Sequence, residues 1–228
     1  MTLEVKRFSE VYWKEWDDFV FTSVNGTFMQ ERKFLNYHPT SRFLDHSLVF
    51  LENNRVIALL PAAEIEQKDK SMVLISHPGA SHGGLIIQST LNTSKSIELV
   101  AVLVKYCCEM GFVLIRLKPV PQIYHRGLVN QLDFALRFSG FQLEYTELAT
   151  ALELQKGEGP IVKRAMSSTA FRNYQKAIKS GLRVIEDGDF AEYWPILINK
   201  LKQNHNATPT HSLEEIMYLK KAISKVEW

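Results

Sequence analysis

The chain has 228 residues, a formal net charge of +2, 46% hydrophobic and 23% charged residues, which describes an ordinary globular protein and speaks against a disordered or membrane-spanning chain. No apolar run reaches the roughly 20 residues a bilayer demands, and the start, "MTLEVKRFSEVYWKEWDD", interleaves charges with aromatics where a secretory signal needs an apolar core; a cytoplasmic protein with no membrane span is expected. The near-neutral charge gives no reason to expect nucleic acid as a partner, and Cys107 and Cys108, adjacent in an apolar helical pattern, suit buried thiols better than a disulfide or zinc site.

In chain order, "TLEVKRF" alternates like an edge strand, and Ser9 is placed to cap a helix carrying Val11, Trp13, Trp16, Phe19 and Val20. A second helix is predicted after Thr27 in "FMQERKFLNYH", ending before Pro39. From Ser47 the period becomes that of strands. "SLVFL" and "RVIALLPAAEI" flank Glu52-Asn53-Asn54, where asparagines tolerate the positive φ of a tight hairpin. "SMVLIS" is a third strand and "GLIIQ" a short fourth.

Between those last two strands lies "SHPGASHGG", Ser76 to Gly84. It is either an elaborate turn or a ligand loop. Its glycines, Gly79 and Gly83 among them, can expose successive backbone N–H groups as an anion nest, beside Ser81 and with His77 or His82 donating hydrogen bonds or accepting a proton. The pattern is neither a phosphate loop nor a dinucleotide fingerprint, and Ser81-His82 lacks the nucleophile elbow. His77 and His82 have no third ligand nearby in sequence, so no metal is expected.

"NTSKSIELVAVLVKYCCEMG" is predicted to be a helix, with Ile97, Val100, Ala101, Val104 and Cys108 at helical spacing and Gly111 at its end. "FVLIRLKP" reads as a buried strand, "HRGLVNQLDFALRFSGF" as a helix and "QLEYTELATALEL" as a long strand. Helices and strands therefore alternate around a mixed sheet, making the class α/β or α+β. After "QKGEGP" the pattern turns mostly helical: "SSTAFRNYQKAIKSG", "DFAEYWPILINKLKQNH" and "SLEEIMYLKKAISKVEW", with strand "LRVIED" separating the first two. With no later strands to cover these helices, the expectation is a truncated chain, or one whose core a partner chain completes.

Between Lys156 and Arg183 the bases Lys156, Lys163, Arg164, Arg172, Lys176, Lys179 and Arg183 face one acid, Glu158. The helix predicted from Ser168 to Ser180 sets Phe171, Tyr174, Ala177 and Ile178 on one side, and Arg172, Lys176 and Lys179 on the other. This is either a packed helix with a solvated cationic ridge or a surface on which Arg172 forks two donors onto a phosphate or carboxylate, with Lys176 as a point charge. RNA binding is not favoured, because Phe171 and Tyr174 are expected to pack rather than stack on bases. "NHNATPTHS" brings His205 and His211 between two helices, with a capping box from Ser212 to Glu215; both histidines are candidate pocket residues.

Together, "GTFMQERKFLNYHPTSRFLDHSLVFLENNRVIALLPA", "SHPGASHGGLII", "FRNYQKAIKSGLRVIED" and "NHNATPTHSLEEI" resemble bacterial acyltransferases of the GNAT (acyl-CoA N-acyltransferase) fold, in the FemAB-like and BioF2-like branch. The resemblance implies a mostly antiparallel mixed sheet with splayed central strands, flanked by helices. It also implies two units in tandem, here residues 1–154 and an incomplete, mainly helical second unit at 155–228. The implied reaction transfers an acyl or aminoacyl group to an amine of a cell-envelope sugar or peptide precursor, with acyl-CoA as co-substrate and no tightly bound cofactor. Lys33, Arg172 and Lys176 would hold phosphates of a nucleotide-linked acceptor or of the acyl carrier, and the loop histidines would line the pocket. The family's pyrophosphate loop, Arg/Gln-x-x-Gly-x-Gly/Ala, is missing, so a non-catalytic binding module that keeps the acceptor cleft is the alternative. No residue is assigned as catalytic base.

Overall fold

The structure, a computed structural model, describes residues 3–39, 41–148, 150–151, 166–185 and 188–223. Its packing falls into two units: residues 1–142 with 210–228, and residues 143–209.

The first unit is built on two four-stranded sheets. One has the order β1 (Leu3–Arg7), β3 (Leu48–Glu52), β4 (Arg55–Leu60), β7 (Ile86–Ile87); the other has the order β2 (Leu44–Asp45), β5 (Ala62–Glu66), β6 (Met72–Ser76), β8 (Phe112–Arg116). Every pairing is antiparallel except β6 with β8. The sheets meet where two long strands break opposite each other. Pro61 separates β4 from β5, and a proline has no N–H for the ladder. Opposite it, the Ser47 hydroxyl takes the Ala62 N–H at 3.3 Å and the His46 N–H donates to the Ala62 carbonyl at 2.9 Å. The Asn53-Asn54 turn has φ of 50° and 59°, as the hairpin requires.

Residues of β3 alternate between two apolar layers. Leu48 and Phe50 pack with α3 (Thr93–Glu109) and α4 (Gln131–Phe138), whereas Val49 and Leu51 pack with Trp16, Phe19 and Val20 of α1 (Trp13–Thr22) and Phe34 of α2 (Arg32–Leu35). A bulge after Phe50 leaves Ile57 as the extra residue in β4, so Val56 faces one layer and Ala58 the other.

Several expected elements change. Ser9 leads only a 3-10 turn, Glu10–Tyr12, without a side-chain cap; Val11 is exposed, and the buried face of α1 starts at Trp16. The helix predicted after Thr27 splits into a 3-10 turn, Phe28–Gln30, and the short α2, because a capping box between Thr27 and Gln30 closes the first turn and Glu31 is extended. In α3, capped by Asn92, the buried face is Ser96, Leu99, Val100, Leu103 and Cys107. That is the expected stripe shifted by one residue, about 100° around the helix, and it leaves Cys108 exposed. Burial pushes the Cys107 thiol up to about 12.

Strand β8, expected to be buried, is instead largely exposed and, among the described residues, forms the edge of its sheet beside β6. Residues 141–148 form no strand where "QLEYTELATALEL" predicted a long one; its residues 149 and 152–154 lie outside the described residues.

Among the described residues the second unit contains α5 (Ser168–Lys179) and α6 (Phe190–His205), capped by Ser167 and Asp189. Neither helix has a buried residue, and Phe171 and Tyr174, expected to be packed, stay more than a third exposed, at 38% and 36%. Residues 182–185 form no strand, and the last two residues of the predicted "LRVIED" strand lie outside the described residues, as do "QKGEGP", Lys163 and Arg164. Helix α7 (Leu213–Ile223) packs with the first unit. Its capping box is present: the Glu215 N–H donates to Ser212 Oγ and the Ser212 N–H to Glu215 Oε2, each at 3.1 Å. Among the described residues, no helix is long and apolar enough to cross a membrane.

Candidate functional site

The loop from His77 to Gly84 is an excursion from one edge of the long β4–β5 strand: β6 pairs with β5 before it and β7 with β4 after it. Both ends are stitched down. On entry the His77 N–H donates to the Pro61 carbonyl at 3.0 Å. On exit the Gly83 N–H donates to the Lys118 carbonyl at 2.7 Å, and Ser76 Oγ accepts from both the Gly84 N–H (3.1 Å) and the Lys118 N–H (2.9 Å). Gly84 has φ of 70°, and a Cβ there would lie 3.1 Å from Pro119 Cα, so the position needs glycine on two counts. Pro78 and Ser81 form the exposed tip, while His77 and His82 are buried.

His77 is part of the scaffold. Its Nδ1 accepts the Gly79 N–H at 3.1 Å, which puts the ring proton on Nε2, and its edge meets the Phe43 ring. Burial drives its pKa down to about 4; Arg32 and His38 push the same way and Asp45 opposes them. Arg32 is itself buried against Asp45, with Nη1 on Ser47 Oγ (3.1 Å), Nη2 on Asn36 Oδ1 (3.0 Å) and its guanidinium over the Phe8 ring at 3.9 Å. Burial raises the Asp45 carboxyl, but Arg32 and Ser47 outweigh it and hold the group below its ordinary value.

His82 is fixed from the other side. Its carbonyl accepts from Gln30 Nε2 at 2.9 Å, its ring stacks on Tyr124 with centroids 5.4 Å apart, and its Nε2 lies 3.5 Å from Thr27 Oγ1. Burial, then the charge of Lys118, lowers its pKa, so both loop imidazoles are neutral at pH 7. Lys33, on α2, pairs with Glu31 at 2.8 Å and keeps about a third of its side chain exposed, at 35%.

Behind the loop, a polar cluster joins α7 to the segment after α2. Gly79 carbonyl accepts from His38 Nε2 (3.2 Å); Arg42 Nη1 reaches His38 Nδ1 (3.2 Å) and His211 Nδ1 (3.4 Å); and the Arg42 guanidinium grips Glu215 at 2.9 and 3.1 Å. Tyr37 OH lies 3.3 Å from His211 Nε2. Among the described residues, His38, His211 and Glu215 bring metal-ligand atoms within 4.8 Å of one another. The Arg42 guanidinium lies against all three and supplies the positive charge a metal ion would bring.

The other side of the loop is the vertex of a split. From Gly83, bridged to Pro119, β7 and residues 117–120 part, and a cavity of about 40 Å³ opens among Gly84, Leu85, Pro119, His125, Val129 and Leu132. The outer edge of β7 is occupied by the chain itself. Asn25 Nδ2 donates to the Leu85 carbonyl (2.8 Å), the Ile87 N–H donates to Asn25 Oδ1 (2.9 Å), and the Val24 N–H donates to the Ile87 carbonyl (2.9 Å).

The structure thus gathers Lys33, His77, Gly79, Ser81, His82, Gly83 and His211 into the first unit. Arg172, Lys176 and His205 lie in the second, all exposed; Arg172 Nη2 is 3.4 Å from Thr169 Oγ1, and His205 closes α6. Sequence reading missed Ser76, Asn25, His38, Arg42 and Glu215 as parts of the site. The four-residue spacings His38–Arg42 and His211–Glu215 offered local hints; most of the remaining partners are distant in sequence.

No family model matches the chain, and no curated protein matches it. Among solved structures, FemX superposes over 97% of this chain at a TM-score of 0.62 and 12% identity; the chain spans 55% of FemX's length. A GNAT family acetyltransferase from Staphylococcus aureus covers 67% of this chain and 100% of its own (TM-score 0.42, 11% identity). An aminoglycoside acetyltransferase from an uncultured soil metagenomic sample has the same coverage (TM-score 0.43, 14% identity).

Proposed function

Because the chain carries the GNAT fold of FemX along nearly its whole length, we propose that it acts in acyl or aminoacyl transfer to an amine of a cell-envelope sugar or peptide precursor. Residues 1–154 serve as the acceptor side, and residues 155–228 open a second GNAT-like unit, although helix α7 at its end packs with the first compact unit. The observation that carries this reading is the parted pair β7 and 117–120, with its vertex at Gly83 and Gly84 directly beside the histidine-bearing loop. Attack on an acyl carbonyl needs a neutral amine and N–H donors aimed at the developing oxyanion, and backbone groups at a parted strand suit the second task. His77 is not the base in this reading: its lone pair is committed to the Gly79 N–H. Lys33 in the first unit and, taken separately, Arg172 and Lys176 in the second are the candidate cations for phosphates of a nucleotide-linked acceptor or of acyl-CoA. The exposed apolar side chains Phe171, Ile178 and Leu182 support a further polypeptide surface covering the second unit.

One observation favours a second reading, a binding module without donor chemistry: Val24 and Asn25 already pair with the edge of β7, where a carbonyl would be polarised. Calorimetric titration with acetyl-CoA and with a nucleotide-linked amino sugar separates the two. Saturable acetyl-CoA binding supports the transferase, binding of the nucleotide sugar alone supports the module, and binding of neither overturns both.

A further inference from the structure

We propose that helix α7 holds the glycine loop in shape through the relay Glu215, Arg42, His38, Gly79, in which His38 is the positioning residue of the loop. A guanidinium has donors and no acceptor, so Arg42 must donate to His38, whose Nδ1 therefore carries the lone pair and whose Nε2 carries the proton. That tautomer is the one that donates to the Gly79 carbonyl. Arg42 is aimed in turn by its two contacts to Glu215, and Glu215 is anchored by the Ser212 N–H at the start of α7. The His38 ring has little room to turn: it is buried, lies on Tyr37 with centroids 3.9 Å apart, and meets the edge of Phe43 at 5.0 Å.

Each link is needed for the next. Without Arg42, His38 Nδ1 becomes a buried acceptor with no donor and the tautomer is no longer imposed; the Gly79 carbonyl then loses its assured partner. Protonating His38 acts in the same direction, since it places a proton on Nδ1 facing the Arg42 donor. The groups around His38 are Tyr37 and Arg42 from its own segment, His77 from the loop, and His211 and Glu215 from the α7 side. Burial above all, then the charges of His211 and Arg42, keeps His38 below its ordinary pKa, so the relay is intact at neutral pH.

The test is amide hydrogen exchange of the full chain, read at Gly79 and Ala80 and, as a control, in β3 and β4. Arg42→Leu, Glu215→Gln and His38→Leu are expected to raise loop exchange by about tenfold or more with the strands still protected. His38→Gln keeps a donor for the Gly79 carbonyl and should return the loop to near wild-type protection. Unchanged loop exchange in folded Arg42→Leu overturns the relay, as does a loss shared equally by loop and strands. If Arg42→Leu does not fold, the milder Glu215→Gln decides by the same comparison. The loop's role in acceptor binding rests on the reading above and fails separately: a wild type that binds no nucleotide-linked sugar defeats that reading and leaves the relay standing.

Discussion

The carbonyl of Gly79 accepts a hydrogen bond from Nε2 of His38 at 3.2 Å, across a contact so close that a Cβ on residue 79 would overlap the imidazole. Glycine is required there by the approach of a side chain, since Gly79 is not among the glycines with positive φ. The loop's composition follows from what packs against it.

Gly79→Ala should therefore displace the His38 ring and destabilise the fold by about 1–3 kcal/mol. Thermal unfolding checks the loss. Because the cost is a pairwise clash, His38→Ala should recover part of it in the double variant, and strictly additive losses would place its origin elsewhere.

Ser76→Ala removes the acceptor shared by the Gly84 and Lys118 N–H groups at the vertex of the split. Leaving these donors without their acceptor should cost about 1–3 kcal/mol, measured by urea denaturation. A loss within a few tenths of a kcal/mol would mean that other acceptors replace the hydroxyl.

Asn25→Ala breaks both bonds that its amide makes to β7 and leaves the Leu85 carbonyl and Ile87 N–H unpaired in a buried setting. A loss of about 2 kcal/mol or more is expected. Asn25→Asp should be similarly harmful, because it keeps the acceptor for Ile87 and sets a carboxylate against the Leu85 carbonyl. Chemical denaturation of both variants makes the comparison.

The pH dependence of stability carries the mark of His77. Its pKa is 6.5 in the unfolded chain and about 4 when folded, so between these values the unfolded state binds the extra proton. Stability from this group is fully present above 6.5 and is lost as pH falls toward 4, by about 3 kcal/mol in all. His77→Gln should flatten that part of a urea stability profile taken between pH 7.5 and pH 4. An unchanged slope in the variant would assign the acid sensitivity to other groups.

Much of the frame was legible in sequence because its signals are local. Asn53-Asn54 marks the hairpin, Asn92, Ser167 and Asp189 cap their helices, and an unbroken apolar run at 48–51 marks β3. The nine residues from Ser76 to Gly84 also stand out by composition alone. Burial was less legible. Strand β8 is as apolar as a central strand yet lies largely exposed, and the buried stripe of α3 is rotated to include Cys107 rather than Cys108. Periodicity marks which residues can share a face; only the neighbouring elements decide which face is covered.

The chain's own residue order determined that a histidine and glycine loop would sit between two strands of an α/β sheet resembling the GNAT fold. Tertiary structure alone decided what the loop is tied to: Ser76 at its vertex, Asn25 along the edge of β7, and Arg42 and Glu215 behind His38. The reason is physical. Helix caps and apolar periods are settled within a few residues, whereas a buried polar atom takes its partner from whichever segment folding brings within 3 Å or so, at any distance along the chain.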